Sequence, residues 1–408
     1  MRQATAVMGA ALVLLASFGA VAAPAAASGS AAGAGASGFA DSQCSYPVTL
    51  TDATGTEVTV EEDPDRLVAL APSAAQILWS IDADDEVVGM PQEYFTGYLN
   101  DTEGKTDVVN DDGTIIAEAV VGSNPDLVLA PNVVSNETVQ SLRESGLTVY
   151  KFESADDLED VFAKIELYGQ LTGNYDEAGQ VSARMEGQVQ AVRDAVSDEE
   201  NPDVFFHLGG GWTARNDTFI GQMIESAGGD NIAAGNLDRQ YAVLSDEVVA
   251  EEDPEWIIVN GDFGTVPKSA AFNESTAVQE GNIVRVDRNF MSQNGPKNVI
   301  PLKTMAQAFH PEAYESVDFS AVETPEPVSC STPTPTPTST PPVTETDGMD
   351  DGTATATATE EMADGETDTP TEAATPAPET TSGDGPGFTG VTALVAVLAG
   401  ALVARRRL

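Results

Sequence analysis

The chain has 408 residues, of which 66 are Asp or Glu and only 18 are Lys or Arg, giving a formal net charge of −48 at pH 7. Such a surface repels the phosphates of nucleic acids and of anionic lipid headgroups, which excludes both as binding partners. The two histidines and two cysteines are too few to form a cluster of transition-metal ligands, so no metal site is predicted.

Residues 1–29 have the pattern of a signal peptide, with one Arg, an apolar run over about residues 4–21 and small residues before the cleavage site. We therefore predict that the chain is exported and that this segment is removed. A retained membrane anchor is the alternative, and the shortness of the apolar run argues against it.

Cys44 and Cys330 lie at the two edges of the predicted globular region. In an exported chain two such cysteines can form a disulfide, which would stabilise the fold by roughly 2–5 kcal/mol. We predict that bond. Lipidation of Cys44 is disfavoured, because Asp41, Ser42 and Gln43 do not form the small apolar box that lipidation requires.

Residues 44–173 are predicted to form a first α/β lobe. A hairpin turns at Gly55, and short apolar runs then alternate with helix-like stretches, a pattern that favours a parallel sheet. Residues 201–330 repeat this order of elements in a second lobe. The predicted fold is therefore α/β, with two Rossmann-like lobes of short parallel sheets and a ligand cleft between them.

Residues 174–200 are predicted to form a single long helix that joins the lobes. Apolar residues recur there at three- and four-residue steps, and about 24 helical residues at 1.5 Å each make a rod of roughly 36 Å. Gly173 is a natural stop for the helix that precedes it. A rigid backbone helix would allow little closing motion of the lobes; the alternative is an ordinary helix within one lobe.

Residues 331–385 contain no Lys or Arg and are rich in Thr, Pro and acids, a composition that predicts a disordered stalk. Residues 386–408 combine an apolar stretch with three arginines, which predicts a C-terminal anchor that holds the body on the external face of the membrane. The anchor begins with Pro386-Gly387-Phe388 and resembles the sorting tail of haloarchaeal surface proteins. That resemblance implies replacement of the helix by a lipid.

An enzyme needs a nucleophile paired with a general base, a set of metal ligands or a loop that binds a cofactor. His207 and His310 are far apart in the chain, and the sequence has no HExxH, GxSxG or CxxC motif. We predict no catalytic residues, no resident cofactor and no enzymatic activity.

Five segments, in the same order, resemble the helical-backbone class of ABC-importer solute-binding proteins, and within it the cobalamin-binding branch. They are residues 64–90, 118–131, 218–232, 244–259 and 294–314. The resemblance implies a monomer with two lobes on one backbone helix and a corrinoid, such as cobalamin, as the transported ligand. It implies an ABC permease and its ATPase subunits as partners.

The resemblance also assigns roles to individual residues. Glu118 and Glu225, one on each lobe, match glutamates that meet arginines of the permease, where their charges would set the docking register. Asn289 and Gln293 stand where members of the family can carry Asp and Arg, which leaves the identity of the ligand open. The cleft positions implied to contact the ligand are Tyr94, Phe95, Leu208, Gly210, Trp212, Tyr241, Asn289, Phe290 and Gln293.

Two other functions are compatible with the sequence. An iron-siderophore or haem solute-binding protein would share the fold and differ at few cleft residues. A structural surface or adhesion protein would explain the stalk and anchor but not the five ordered segments. The acidic composition itself predicts a halophilic source, since molar salt shortens the screening length to about 3 Å; an acidic mesophilic surface protein is the alternative.

Overall fold

The computed structural model describes residues 45–93, 95–261 and 265–327. The predicted signal peptide, stalk and C-terminal anchor lie outside these ranges, as do Tyr94, Cys44 and Cys330. No helix within the described ranges is long and apolar enough to span a membrane.

A hairpin and a five-stranded parallel sheet form the first lobe. The hairpin strands pair antiparallel around the predicted turn, where Gly55 has a φ of 76°. The sheet has the order β5-β4-β3-β6-β7, and its central strands are continuous apolar runs because both faces of the sheet are covered. The elements are β1 (Val48–Thr51), β2 (Glu57–Val60), β3 (Leu67–Ala69), α1 (Pro72–Ser80), β4 (Val87–Met90), β5 (Thr106–Asp107), α2 (Ala117–Gly122), β6 (Leu127–Ala130), α3 (Asn136–Glu144) and β7 (Val149–Lys151).

Two consecutive helices, α4 (Leu158–Thr172) and α5 (Tyr175–Val196), connect the lobes. As predicted, α4 ends at Gly173, which takes the left-handed conformation with a φ of 78°. Helix α5 has 22 residues, about 33 Å at 1.5 Å per residue. It packs along α4 on one side and contacts three helices of the second lobe on another.

The second lobe contains a four-stranded parallel sheet of order β10-β8-β12-β13 and a separate antiparallel ribbon of β9 and β11. Its elements are β8 (Asp203–His207), β9 (Trp212–Ala214), α6 (Phe219–Ser226), β10 (Asp230–Asn231), β11 (Tyr241–Val243), α7 (Asp246–Glu252), β12 (Trp256–Asn260), α8 (Ala270–Glu274), α9 (Thr276–Glu280), β13 (Ile283–Val286), α10 (Arg288–Ser292), a 3-10 turn (Pro296–Asn298), α11 (Val299–Phe309) and α12 (Pro311–Glu315).

One apolar core runs through both lobes. It includes residues of β3, α4, α5, β8 and α11, whereas the opposite face of each sheet has a smaller core of its own. Phe152 stacks on Tyr168 with ring centroids 4.1 Å apart, which ties the first sheet to α4. The prediction of two α/β lobes with parallel sheets is confirmed, and the helices between them are part of a shared core.

Candidate functional site

The lobes meet at loops that follow the carboxyl ends of their parallel strands, the edge at which open α/β sheets bind ligands. On the first lobe these loops are residues 91–93 with 95–100 and residues 152–157. On the second lobe the contacting segment is residues 287–298. Gln293 Nε2 donates to the carbonyl of Phe95 (2.9 Å), and Asn294 Nδ2 donates to the carbonyl of Ala155 (3.1 Å). Direct hydrogen bonds therefore cross between the lobes at both loops.

Four of the predicted ligand contacts come together here: Phe95, Asn289, Phe290 and Gln293. With Tyr98 and Arg288, which were not among the predicted contacts, they form what we call the boundary cluster. The Arg288 guanidinium lies 4.2 Å from the centre of the Phe95 ring, and Phe290 meets Tyr98 edge-on at 5.1 Å. Aromatic and cationic side chains from both lobes thus face each other.

Gln293 of this cluster forms a buried polar pair with Gln76 of α1. Gln76 is 0% exposed and Gln293 is 8% exposed. The Tyr98 hydroxyl donates to Gln293 Oε1 at 2.7 Å, and Gln76 Nε2 lies 3.1 Å from that hydroxyl and 3.4 Å from the same Oε1. Burial raises the pKa of Tyr98 to about 12, so the phenol stays protonated and remains a donor at neutral pH.

A second group of predicted contacts gathers on the antiparallel ribbon. Leu208, Gly210, Trp212 and Tyr241 belong to it, and with Val243 they form what we call the ribbon cluster. Three successive glycines before Trp212 have positive φ values, which lets the chain turn tightly enough for the Leu208 amide to donate to the Trp212 carbonyl at 2.9 Å.

The ribbon pairs Trp212 with Val243 and Ala214 with Tyr241. Directly paired residues in an antiparallel ribbon share a face, so Trp212, Val243 and Tyr241 line one apolar surface. Val243 is 54% exposed there. The sequence prediction missed Val243, although its position two residues after Tyr241 in a strand-like run was a usable signal.

His207 lies at the end of β8, where it is buried. Its Nε2 accepts a hydrogen bond from the Gly211 amide at 3.2 Å, and burial lowers the pKa of the imidazole. The ring is therefore neutral and braces the glycine turn. Asn260 is the last residue of β12. Among the described residues, its Oδ1 is buried without a hydrogen-bond partner. The sequence prediction did not single out Asn260.

Glu118 and Glu225 lie on the surface, one on each lobe. Glu118 is exposed in the first turn of α2, and Glu225 is exposed near the end of α6, where it accepts a hydrogen bond from Gln222 at 3.2 Å. Both carboxylates can meet an external partner, and neither belongs to the boundary or ribbon cluster.

No group of three or more His, Cys, Asp or Glu in the described parts of the chain is arranged to hold a metal ion. Two shallow surface grooves, one beside Lys268 and Arg285 and the other beside Thr54 and Arg143, share no residue with either cluster. The arrangement between the lobes suits binding: it offers aromatic faces, the Arg288 cation and the amide of Asn289. A buried hydrogen-bond network of Gln76, Tyr98 and Gln293 supports them.

Comparison with known proteins decides the family, since residues 67–289 match the family described as periplasmic binding protein. The chain belongs to this periplasmic binding protein family. It is 42% identical over 283 residues to a protein of Halobacterium salinarum named cobalamin-binding protein, a match that covers 66% of this chain and 76% of that one. It is 25% identical over 284 residues to YvrC of Bacillus subtilis, an uncharacterized ABC transporter substrate-binding lipoprotein, covering 66% and 88%.

Solved structures of this periplasmic binding protein type confirm the fold. The haem-binding protein RhuT of Roseiflexus superposes with a TM-score of 0.54 at 23% identity, covering 61% of this chain and 98% of that one. CeuE of Helicobacter pylori gives a TM-score of 0.58 at 20% identity, covering 67% and 92%. At these identities the likeness concerns architecture alone.

Proposed function

We propose that this protein is the solute-binding component of an ABC importer, which captures a corrinoid such as cobalamin outside the cell and delivers it to the membrane permease. The observation that carries the proposal is the 42% identity over 283 residues to the cobalamin-binding protein of Halobacterium salinarum. Family membership and the two-lobe fold support the broader class of solute-binding protein.

The chemistry of the two clusters suits this ligand. A corrinoid has a broad, partly apolar ring with amide groups on its rim, and such a molecule is held by apolar walls with a few polar groups. Trp212, Tyr241 and Val243 would supply one wall, and Phe95 with the amide of Asn289 would supply contacts near the boundary. Tyr94, Leu208, Gly210 and Phe290 complete the proposed contact set.

Equilibrium dialysis in molar salt against cyanocobalamin, cobinamide, haem and a ferric hydroxamate tests the ligand class. We expect saturable binding of the corrinoids. Trp212→Ala should weaken it about tenfold or more, because truncation of a buried aromatic anchor costs about 2 kcal/mol. Trp256→Phe, which alters a ring packed against Phe309, is the matched control. Tight binding of haem or hydroxamate without corrinoid binding would refute the proposal.

The second part of the proposal concerns docking to the permease. Glu118 and Glu225 would each face a basic residue of the permease and set the register of the complex. The double variant Glu118→Ala with Glu225→Ala should lower corrinoid uptake by cells while leaving the dissociation constant of the ligand unchanged. The exposed pair Glu137 and Glu247, replaced in the same way, is the control; equal loss of uptake there would remove the docking role.

Tethering is the third part. We propose export through segment 1–29, a stalk over residues 331–385 and C-terminal anchoring through residues 386–408. We also propose the Cys44–Cys330 disulfide, with which two contacts are compatible. The Tyr46 hydroxyl is 3.4 Å from Asp63 beside Gly173, and residues 323–324 pass over α5 at Gly187. Both described ends of the chain therefore reach the backbone helices.

Peptide mapping under non-reducing conditions tests the Cys44–Cys330 disulfide. Mass analysis of membrane-extracted protein tests the C-terminal anchor.

A further inference from the structure

We propose that Gln293 is a positioning residue that, with Gln76 and Tyr98, fixes one lobe against the other beneath the ligand site. It would act through Phe95 and not through a contact with the ligand. The inference rests on the proposed binding function and reverses the role that the family resemblance assigns to Gln293.

The amide of Gln293 has no capacity left for a ligand. Its Nε2 donates to the Phe95 carbonyl at 2.9 Å and to Asn289 Oδ1 at 3.5 Å, and its Oε1 accepts from the Tyr98 hydroxyl and from Gln76 Nε2. A primary amide offers two donors and two acceptor lone pairs, so all four are used by the protein. Gln293 is also buried, which removes it from direct contact with solute.

The network joins opposite lobes. Gln76 lies on α1 and Tyr98 on the loop after β4, both in the first lobe, whereas Gln293 directly follows α10 in the second lobe. Gln76 Oε1 also accepts a hydrogen bond from the Lys297 amide at 3.1 Å. A Cβ added to Gly295 would lie only 2.6 Å from that Oε1, so the two lobes are in close contact here with no room for an adjustable gap.

The residue held by the network is strained. Phe95 has a φ of 57°, a left-handed conformation that is unfavourable for an aromatic residue and persists only when its surroundings enforce it. The bond from Gln293 fixes the carbonyl of Phe95, and Arg288 lies over its ring at 4.2 Å. Loss of the amide donor would free the loop to relax, and the aromatic ring would leave its position at the boundary.

Two conservative variants separate positioning from contact. Tyr98→Phe removes one donor to Gln293 and keeps the ring, while Gln293→Leu removes the amide at similar volume. Gln140→Leu is the control: it changes an exposed glutamine on α3, whose side chain bonds to Glu144 in the same helix. Tyr98→Phe also guards against failure of Gln293→Leu to fold.

The first measurement needs no ligand. Hydrogen–deuterium exchange of the free protein should rise severalfold in peptides covering residues 91–99 for both network variants and stay unchanged for Gln140→Leu. A residue that served only to touch the ligand would leave this exchange unaltered. Unchanged exchange in both network variants would overturn the proposal.

The second measurement is affinity for cyanocobalamin by equilibrium dialysis. Each network variant should weaken binding about three- to tenfold, and the double variant should be no weaker than Gln293→Leu alone, because residues of one network are not additive. Loss of affinity in Gln293→Leu with none in Tyr98→Phe would identify a direct contact and refute positioning. If wild-type protein binds no corrinoid, the proposed function fails, whereas the exchange result still decides whether the lobes are joined here.

Discussion

Asp52 is the residue whose surroundings make the sharpest stability prediction. Its side chain is fully buried and forms an ion pair with Arg143, and it accepts further hydrogen bonds from Thr54 and from the Lys151 amide. Burial acts to raise the pKa of Asp52, but the bonds from Thr54 and Arg143 outweigh it and hold the pKa below its ordinary value. The carboxylate thus anchors the hairpin to the first sheet.

Asp52→Asn should lower the free energy of unfolding at pH 7 by about 3 kcal/mol, because it leaves the Arg143 charge without its buried partner. A depressed pKa in the folded state gives stability that is present above the unfolded pKa, near 3.9, and is lost as pH falls through the folded value. The deficit of the variant should therefore shrink in acid. Urea unfolding at pH 7 and at pH 3 measures it.

Asp112 provides the matched control for Asp52. It accepts the same two bonds from Thr114, two residues on, at 3.0 and 2.7 Å. It is exposed, and within the described parts of the chain it forms no ion pair with an arginine. Asp112→Asn should change the free energy of unfolding by a few tenths of a kcal/mol at most. Asp52 and Asp112 share the aspartate–threonine bonds, but only Asp52 has the buried ion pair. A comparable loss in both variants would therefore show that the aspartate–threonine bonds, and not the ion pair, account for the effect of Asp52→Asn.

At the scale of elements, the packing of α4 on α5 gives a further prediction. A Cβ at Gly169 would overlap the Cβ of Ala178 and lie 2.9 Å from the Asn174 carbonyl. Gly169→Ala should therefore lower the free energy of unfolding by about 1–3 kcal/mol through overpacking, although Ala favours a helix by about 1 kcal/mol. Gly122→Ala on α2, where the added Cβ meets nothing within 4 Å, should show the gain alone. The urea unfolding midpoints of both variants, compared with that of the wild-type protein, measure the two effects. A Gly169→Ala protein as stable as wild type would contradict close packing of α4 on α5.

Elements that depend on local chemistry were predictable from the sequence. The hairpin turn at Gly55, the stop of α4 at Gly173 and the long helix α5 each follow from a glycine position or from apolar periodicity. The prediction placed α5 within residues 174–200, and the helix ends at Val196, since the acidic residues after Ser197 carry no apolar face. The two-lobe fold followed from the repeated order of strands and helices.

Elements that depend on distant residues were not predictable. The ribbon of β9 and β11 joins two three-residue strands that are far too short to show a period, and the turn before it consists of glycines. The partners of Gln293 in the first lobe lie 195 to 217 residues away in sequence. The family resemblance assigned Phe95, Asn289, Phe290 and Gln293 to the cleft, and the structure places all four at the boundary between the lobes. Only side-chain geometry shows that Gln293 makes its hydrogen bonds within the protein.

At the scale of the whole molecule, we expect self-repulsion from the net charge of −48 to limit stability in dilute salt. The screening length falls from about 10 Å at 0.1 M salt to about 3 Å at 1 M. Exposed carboxylates that repel each other in dilute buffer therefore cease to do so in strong salt. One group shows the effect locally: burial and the neighbouring carboxylates Glu255, Asp230 and Glu252 raise the pKa of Asp203 at the start of β8.

We therefore expect the unfolding temperature of this protein to rise steeply between 0.1 and about 2 M KCl, since screening relieves self-repulsion of the compact state. Asp230→Asn should raise the unfolding temperature at low salt, because it removes one charge beside Asp203, and should have no effect at high salt. Asp198→Asn, at an exposed position after α5, is the control for a simple change of net charge. Circular dichroism melts across the salt series measure both. An Asp230→Asn effect that persisted in strong salt would show that packing, and not repulsion, limits stability at this end of the second sheet.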